Sequence, residues 1–147
     1  MLAINNLTAT RDNWGLEVLG KYLAIDYGAR RVGLATADTE ARLASPFMTI
    51  APHELVATIK REGPFEAVIV GLPRSLDGTN TPQTLAVKRF CDDVLWRKLH
   101  IDVVYQDEAA TSSVAEERLK ESGKPYEKGD IDAVAASIIL QDYLDAL

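Results

Sequence analysis

The sequence predicts an α/β fold: one mixed sheet of five strands with helices on both faces, in a single domain over residues 21–147 behind an N-terminal extension, residues 1–20. Three observations predict it. Apolar runs of strand length, Tyr22–Asp26, Val32–Ala35 and Phe47–Ile50, follow one another through short turn-like segments, as antiparallel strands do. Beyond Pro52, helical periodicity alternates with two further apolar runs, Ala67–Val70 and Ile101–Tyr105, and that alternation gives parallel strands joined by right-handed crossovers. Finally, 147 residues with 47% hydrophobic and 26% charged content suit one domain around one core.

The elements follow in order. Met1–Gly20 is the least regular stretch: Asn5, Asn6, Thr8, Thr10 and Asn13 are poor helix formers, while Trp14 and the Leu16/Val18 alternation fit a short extra strand. The first strand ends in Asp26; a glycine turn at Gly28 carries Arg30 and Arg31 into the second. Ala37–Glu40 is turn-like. Pro52 opens a short helix with a Leu55, Val56, Ile59 stripe, stopped at Gly63-Pro64. Ala67–Val70 is apolar throughout, as a central strand covered on both faces is. Gly71–Asn80 reads as a loop, and Thr81 with Pro82 as the N-cap and first residue of a helix striped by Val87, Phe90, Cys91, Val94 and Leu95. Ile101–Tyr105 leads to Gln106-Asp107-Glu108. Thr111-Ser112-Ser113 caps the next helix, with capping-box spacing between Ser113 and Glu116; Gly123 closes it, with Pro125 beyond. Asp130 caps a last helix, Ile131–Leu144, apolar almost all round from Ala133 to Leu140 and therefore buried.

Composition excludes several classes. No apolar run approaches the ~20 residues of a membrane span. Met1–Asn13 lacks the basic start and apolar centre of a signal peptide, so the expected location is the cytoplasm. A single cysteine, Cys91, rules out an internal disulfide, and with two histidines it cannot build a structural zinc site. A net charge of -6 argues against a general phosphate-neutralising surface and leaves room for a local basic patch beside an acidic site.

Ligands of mixed and parallel sheets bind where the carboxyl ends of strands meet at a switch point. Asp26, the Gly71 loop and Glu108 stand at such ends. Asp132 lies at the start of the last helix, with Ala135, Ala136 and Ile139 on or near its face, and small residues there let the helix approach the sheet. Each acid has an ordinary alternative. Asp26 could bond the Gly28 turn, Glu108 could be solvated, Asp107 could help start the next helix, and Asp132 could answer the helix dipole. Carboxylates at two strand ends and one helix start are able to converge, and a cluster of them would need protons or cations. Oxygen-rich acidic sites select Mg2+ or Mn2+, and two such ions support phosphodiester hydrolysis. Arg30, Arg31 and Arg74 would flank the site as phosphate-binding forks, or be solvated turn residues. The Gly71–Asn80 loop could offer backbone N–H groups to a phosphate, although it lacks the spacing of a Walker A loop. No rival nucleophile is arranged: Cys91 sits in a core stripe, and His53 and His100 have no acidic partner in a motif.

Four stretches resemble the YqgF/RuvX family, RNase H-like proteins described as pre-16S rRNA nucleases or Holliday-junction-resolvase-like proteins. They are Leu23-Ala24-Ile25-Asp26-Tyr27-Gly28 with Arg31-Val32-Gly33-Leu34-Ala35; Val70-Gly71-Leu72-Pro73 with Asp77-Gly78; Asp107-Glu108 with Thr111; and Asp132-Ala133-Val134-Ala135-Ala136 with Ile139-Leu140-Gln141. The resemblance implies an RNase H-like fold and a metal-dependent nuclease with Asp26, Glu108 and Asp132 as its acidic triad. The implied substrate is structured RNA, foremost the 5′ end of precursor 16S rRNA, or branched DNA. The chain departs from the family pattern at Ala109, where arginine is usual, and in having only Lys124 and Lys128 before the last aspartate. Two rivals stand beside this reading. Ile25-Asp26-Tyr27-Gly28 is similar to the phosphate hairpin of actin-like ATPases, which need two domains; and the fold could serve as a catalytically weak nucleic-acid-binding module. The expected partners are nucleic acid and no membrane, with the protein a monomer or homodimer.

Overall fold

The computed structural model describes residues 20–108 and 111–147, together with the backbone of Thr10–Arg11 and Glu17–Val18. Those two short segments pair antiparallel. The rest of the expected extension, with Trp14 and Leu16, lies outside the described residues, as does Ala109.

Five strands form one mixed sheet: β1 Lys21–Tyr27, β2 Val32–Asp38, β3 Ser45–Ile50, β4 Ala67–Pro73 and β5 Val103–Glu108, in the order β3-β2-β1-β4-β5. β1 pairs antiparallel with β2 and parallel with β4; β2 pairs antiparallel with β3, and β4 parallel with β5. Among the described residues, four helices complete the expected α/β architecture. α1 is Leu55–Glu62, entered through a tight turn at Pro52–Glu54. α2, Pro82–Phe90, is prolonged by a widened segment, Cys91–Trp96, and by Arg97–Leu99. α3 is Thr111–Glu121 and α4 is Lys128–Asp145.

The two-residue period of the strands sorts side chains between two cores. Leu23, Ile25, Val32, Leu34, Val68, Val70 and Leu72 face α1 and α2, where Leu55, Ile59, Val87, Cys91 and Leu95 meet them. The other face carries Tyr22, Ala24, Ala35, Ala37 and Ile69 against Ala136, Ile139, Leu140 and Leu144 of α4. Ala135 and Ile138 turn outward to Ala115 of α3, so α4 is packed on two sides, as its apolar composition requires. Thr81 caps α2 as expected, its hydroxyl accepting the Thr84 N–H at 3.2 Å.

Three local expectations change. Gly71, Leu72 and Pro73 extend β4 instead of opening the loop, because β5 continues alongside and pairs with them through Glu108. α3 begins at Thr111, so Ser113 and Glu116 lie inside the helix and form no capping box at its start. α4 begins at Lys128, with Glu127 at the cap position; Asp130, three residues on, accepts the Glu127 N–H at 2.8 Å instead of capping the helix itself. Asp132 therefore sits beyond the first turn, where the dipole effect has largely decayed.

Between Tyr22 and Ile69 the sheet face beneath α4 carries small residues, and at Gly33 contact is closest. A Cβ on Gly33 would collide with the Asp132 carbonyl and the Ala133 nitrogen. At Gly129, one turn earlier in α4, a Cβ would make ordinary contact with Thr49 at 3.7 Å. Gly33→Ala should therefore push α4 off β2, at a cost of about 1–3 kcal/mol, the usual range for overpacking. Gly129→Ala should be neutral or slightly stabilising. Urea denaturation of the two variants checks this: equal midpoints would mean that α4 does not depend on the bare backbone at Gly33.

Candidate active site

β1 delivers Asp26 by simple alternation. Tyr22 and Ala24 face α4, so Asp26 faces the same way, one residue from the carboxyl end of the strand. Gly33 is its register partner on β2, and Thr49 pairs with Gly33 from β3. α4 crosses this row: Thr49 donates through Oγ1 to the Gly129 carbonyl at 2.5 Å, and the Asp132 backbone rests on Gly33. From the other side, Glu108 ends β5. A Cβ at Gly71 would meet Glu108 Oε2 at 3.0 Å and Ile139 Cδ1 at 2.5 Å, so the bare backbone of β4 leaves room for that carboxylate and for α4 together.

Asp26 thus stands close enough to both Glu108 and Asp132 to feel their charges. The chemistry of the cluster shows in Asp26. Its carboxyl is pushed up from 3.8 to about 7, first by burial, then by the neighbouring charges of Glu108 and Asp132. Burial also raises Glu108, partly offset by the Thr111 hydroxyl. The Gly28 turn is closed by its own backbone, Gly28 N–H to the Arg31 carbonyl at 3.0 Å, which removes the turn-forming role considered for Asp26.

The arginines divide. Arg31 reaches across to Asp132, Nε to Oδ2 at 2.5 Å, an ion pair within the cluster. Arg30 is exposed on the same turn. Arg74 stands just past β4 with Nε 3.5 Å from Asp107 Oδ1, an ionic contact that is not a hydrogen bond, and that nitrogen is otherwise buried without a partner. The loop after Arg74 folds on itself: the Ser75, Gly78 and Thr79 N–H groups bond to Thr79 O, Ser75 O and Asp77 Oδ1. Those groups are spent, so the loop is no open phosphate cradle. The Ser75 and Thr79 hydroxyls also donate to Asp77 and hold its carboxyl down at about 2.

Sequence reading missed the two glycines under the site and the Arg31–Asp132 pair. The glycines carried a signal: Gly33, Ala35 and Ala37 alternate along β2, a row of minimal side chains facing one helix. The ion pair carried none, since Arg31 and Asp132 are 101 residues apart in the chain. Cys91 is buried in the core with its thiol raised to about 11 by burial, which agrees with a packing role. The enclosed apolar cavity of about 280 Å³, lined by Phe65, Trp96 and Ile101, opens at the amino ends of β4 and β5 and touches none of the three carboxylates. Among the described residues no helix is long and apolar enough to cross a membrane. Among them, too, no three Asp, Glu, His or Cys side chains stand as a finished cation cage; one oxygen of Asp132 is bound by Arg31.

The raised Asp26 makes stability depend on pH. A carboxyl whose folded value lies above its unfolded value stabilises the fold while protonated, and that contribution falls as pH rises from about 4 to about 7. At ~1.4 kcal/mol per unit, this group alone should remove roughly 2–3 kcal/mol between pH 5 and pH 8 in metal-free buffer. Denaturant unfolding at the two pH values should show that loss in the wild type and a much smaller one in Asp26→Asn. Matching slopes would mean that Asp26 is not the strained group.

Comparison with known proteins places this chain in a family. A family model, RuvX, described as Holliday junction resolvase, matches residues 20–146. A protein of Chloroflexus aggregans named "Putative pre-16S rRNA nuclease" is 46% identical over 132 residues, covering 84% of this chain and 92% of its own. Proteins of the same name from Chlorobium phaeobacteroides and Fusobacterium nucleatum are 37% and 34% identical, each over 85% of this chain and over 92% and 96% of their own. Among solved structures, T. thermophilus RuvC in complex with Holliday junction substrate superimposes with a TM-score of 0.53 at 17% identity, over 86% of this chain and 94% of that one. That likeness concerns the fold and agrees with the mixed sheet in being RNase H-like. With the family model matched from residue 20 to residue 146, this chain belongs to the RuvX family.

Proposed function

We propose that the protein is a nuclease that hydrolyses phosphodiester bonds with the help of Mg2+ or Mn2+, and that its substrate is the precursor of 16S rRNA, trimmed at its 5′ end in the cytoplasm. The observation that carries the reading is the convergence of Asp26, Glu108 and Asp132 above two glycines, where burial and mutual repulsion hold Asp26 near 7. Such a cluster is a poor arrangement for stability and a good one for cations. Its donors are hard carboxylate oxygens, which fit Mg2+ or Mn2+. Bound between these acids, a pair of such ions would supply an activated water and charge neutralisation at the phosphate.

The chain's own residues have separable tasks. Asp26 is fixed by β1 and gives the site its buried anchor. Glu108 comes from the end of β5, and Asp132 from α4, so three different elements fix the three oxygen donors. Arg30, Arg31 and Arg74 stand on the loops around the acids and would hold substrate phosphates, as planar guanidinium forks do. A water oxygen then forms the new bond to phosphorus while an ester oxygen leaves, and the displaced proton passes to a basic oxygen of the site.

The relatives named for pre-16S rRNA favour the ribosomal precursor; the family description and the structural neighbour favour a second reading, a resolvase of four-way DNA junctions. Cleavage of precursor 16S rRNA, single-stranded RNA and a four-way junction, with Mg2+, Mn2+ or chelator, separates them. The expected result is cleavage of the precursor that chelator abolishes. Asp26→Asn, Glu108→Gln and Asp132→Asn should each fold and lose most activity, on the order of 10²-fold or more, with double variants no worse than singles because the residues act as a unit. Asp142→Asn, further along α4, should retain activity. Preference for the junction would select the resolvase reading, and binding without cleavage of any substrate would select a binding module. Replacing Arg30, Arg31 and Arg74 by alanine should weaken RNA binding and flatten its salt dependence by about one unit of slope per lost phosphate contact; an unchanged slope would mean that the substrate approaches from elsewhere.

A further inference from the structure

We infer that Arg31 is a phosphate-sensitive latch on Asp132: without substrate its guanidinium occupies the carboxylate, and a substrate phosphate draws it away and leaves Asp132 to a divalent cation. The inference rests on the nuclease reading and adds to it an order of assembly.

The geometry supports it in four ways. First, the latch has a fixed base. The Gly28 N–H to Arg31 carbonyl bond closes the turn, and Val32 enters the sheet beside Tyr27, so the Arg31 backbone cannot wander. Second, the latch reaches a fixed target, because the Asp132 backbone is seated on Gly33, next in the chain after Val32. Third, the contact is made to be surrendered. The Arg31 side chain is 43% exposed against 19% for Asp132, so the arginine side of the pair is open to solvent and screened there. Fourth, the two ligands of Asp132 compete. A dication on that carboxylate repels a guanidinium bonded to its Oδ2, whereas a phosphate supplies the guanidinium with an alternative fork of acceptors. Arg30 is the neighbouring arginine and has no such carboxylate contact among the described residues, so the two residues have different tasks on one turn.

Coupling of this kind is reciprocal: if RNA tightens cation binding, cations tighten RNA binding by the same factor. In the free protein Asp132 is neutralised by Arg31, leaving Asp26 and Glu108 as a weaker pair of ligands. The full acid set forms only when phosphate is present, which keeps water activation linked to a seated substrate.

The test is a titration of Mn2+ into the full-length protein, followed by calorimetry and by the Mn2+ electron paramagnetic resonance signal, with and without a short 2′-O-methyl RNA that resists cleavage. The RNA titrated alone with Mn2+ gives the correction. The wild type should bind Mn2+ at least about fivefold more tightly when the RNA is present, the low end of ordinary coupling between sites. Arg31→Ala should bind Mn2+ more tightly than wild type without RNA, and should gain little from adding it. Arg31→Gln, which keeps most of the side chain's bulk, repeats the measurement should the alanine variant fold poorly. A purely packing role for Arg31 predicts the opposite, weaker Mn2+ binding in both variants. Mn2+ binding that is the same in wild type and variants, or unaffected by RNA in the wild type, would overturn the latch and leave the nuclease reading intact. Absence of Mn2+ binding in every protein would overturn the latch and the metal dependence together.

Discussion

The contact between the backbone of α4 and the backbone of β2 at Gly33 is the constraint on which the rest of this structure depends. An α-helix ordinarily rests on a sheet through a layer of side chains on both sides. Here one side of that layer is missing: Gly33 has no side chain, and Ala24, Ala35 and Ala37 supply only methyl groups. The helix therefore descends at its amino end, and Asp132 arrives beside Asp26 instead of several ångströms above it. Gly71 repeats the device on β4, where the freed volume is shared by Glu108 and Ile139. The larger side chains of this core, Ile69, Ile139, Leu140 and Leu144, lie in the same layer and anchor the rest of α4. Packing and the geometry of the candidate site are thus one problem, solved by the same small residues.

The cluster so formed works against the fold that forms it. A domain of this size is stabilised by about 5–15 kcal/mol in total. A carboxyl held near 7 gives up a substantial fraction of that once it ionises. The structure tolerates the cost because the strain is confined to one end of the sheet, while the α1/α2 face carries an uninterrupted apolar core of Leu23, Ile25, Leu34, Leu55, Val70, Leu72 and Leu95. The same strain is what gives the site its appetite for positive charge. In the free protein, Arg31 supplies that charge to Asp132, and Asp26 remains without it.

Charge is also arranged at a larger scale. The chain carries 22 acidic against 16 basic Lys and Arg residues, an unpromising balance for a protein of nucleic acid. Yet Arg30, Arg31 and Arg74 stand on the loops at the acidic end of the sheet, beside the carboxylates that would hold cations. For the proposed function, binding at such a site would need no basic surface, only a few well-placed guanidinium groups and the cations themselves. The apolar cavity at the other end of the sheet touches none of the three carboxylates.

The sequence by itself determined a good deal. Strand-length apolar runs, their alternation with helical stripes and the Gly and Pro stops set the five strands, the four helices and the antiparallel-then-parallel order, because those signals are local and the period of each element is written in a few residues. It also placed Asp26 and Glu108 at strand ends and left Cys91 to the core. The tertiary structure decided the rest. Whether Gly71–Pro73 were strand or loop depended on β5 running alongside them. The start of α4 depended on a cap formed by Glu127 and Asp130, and that start took Asp132 out of the first turn. The partner of Arg31 lay 101 residues away, and no pattern along the chain records such a pair. What the sequence left open was in each case set by contacts between segments distant in the chain, where close approach and shared charge act through space and leave no periodicity to read.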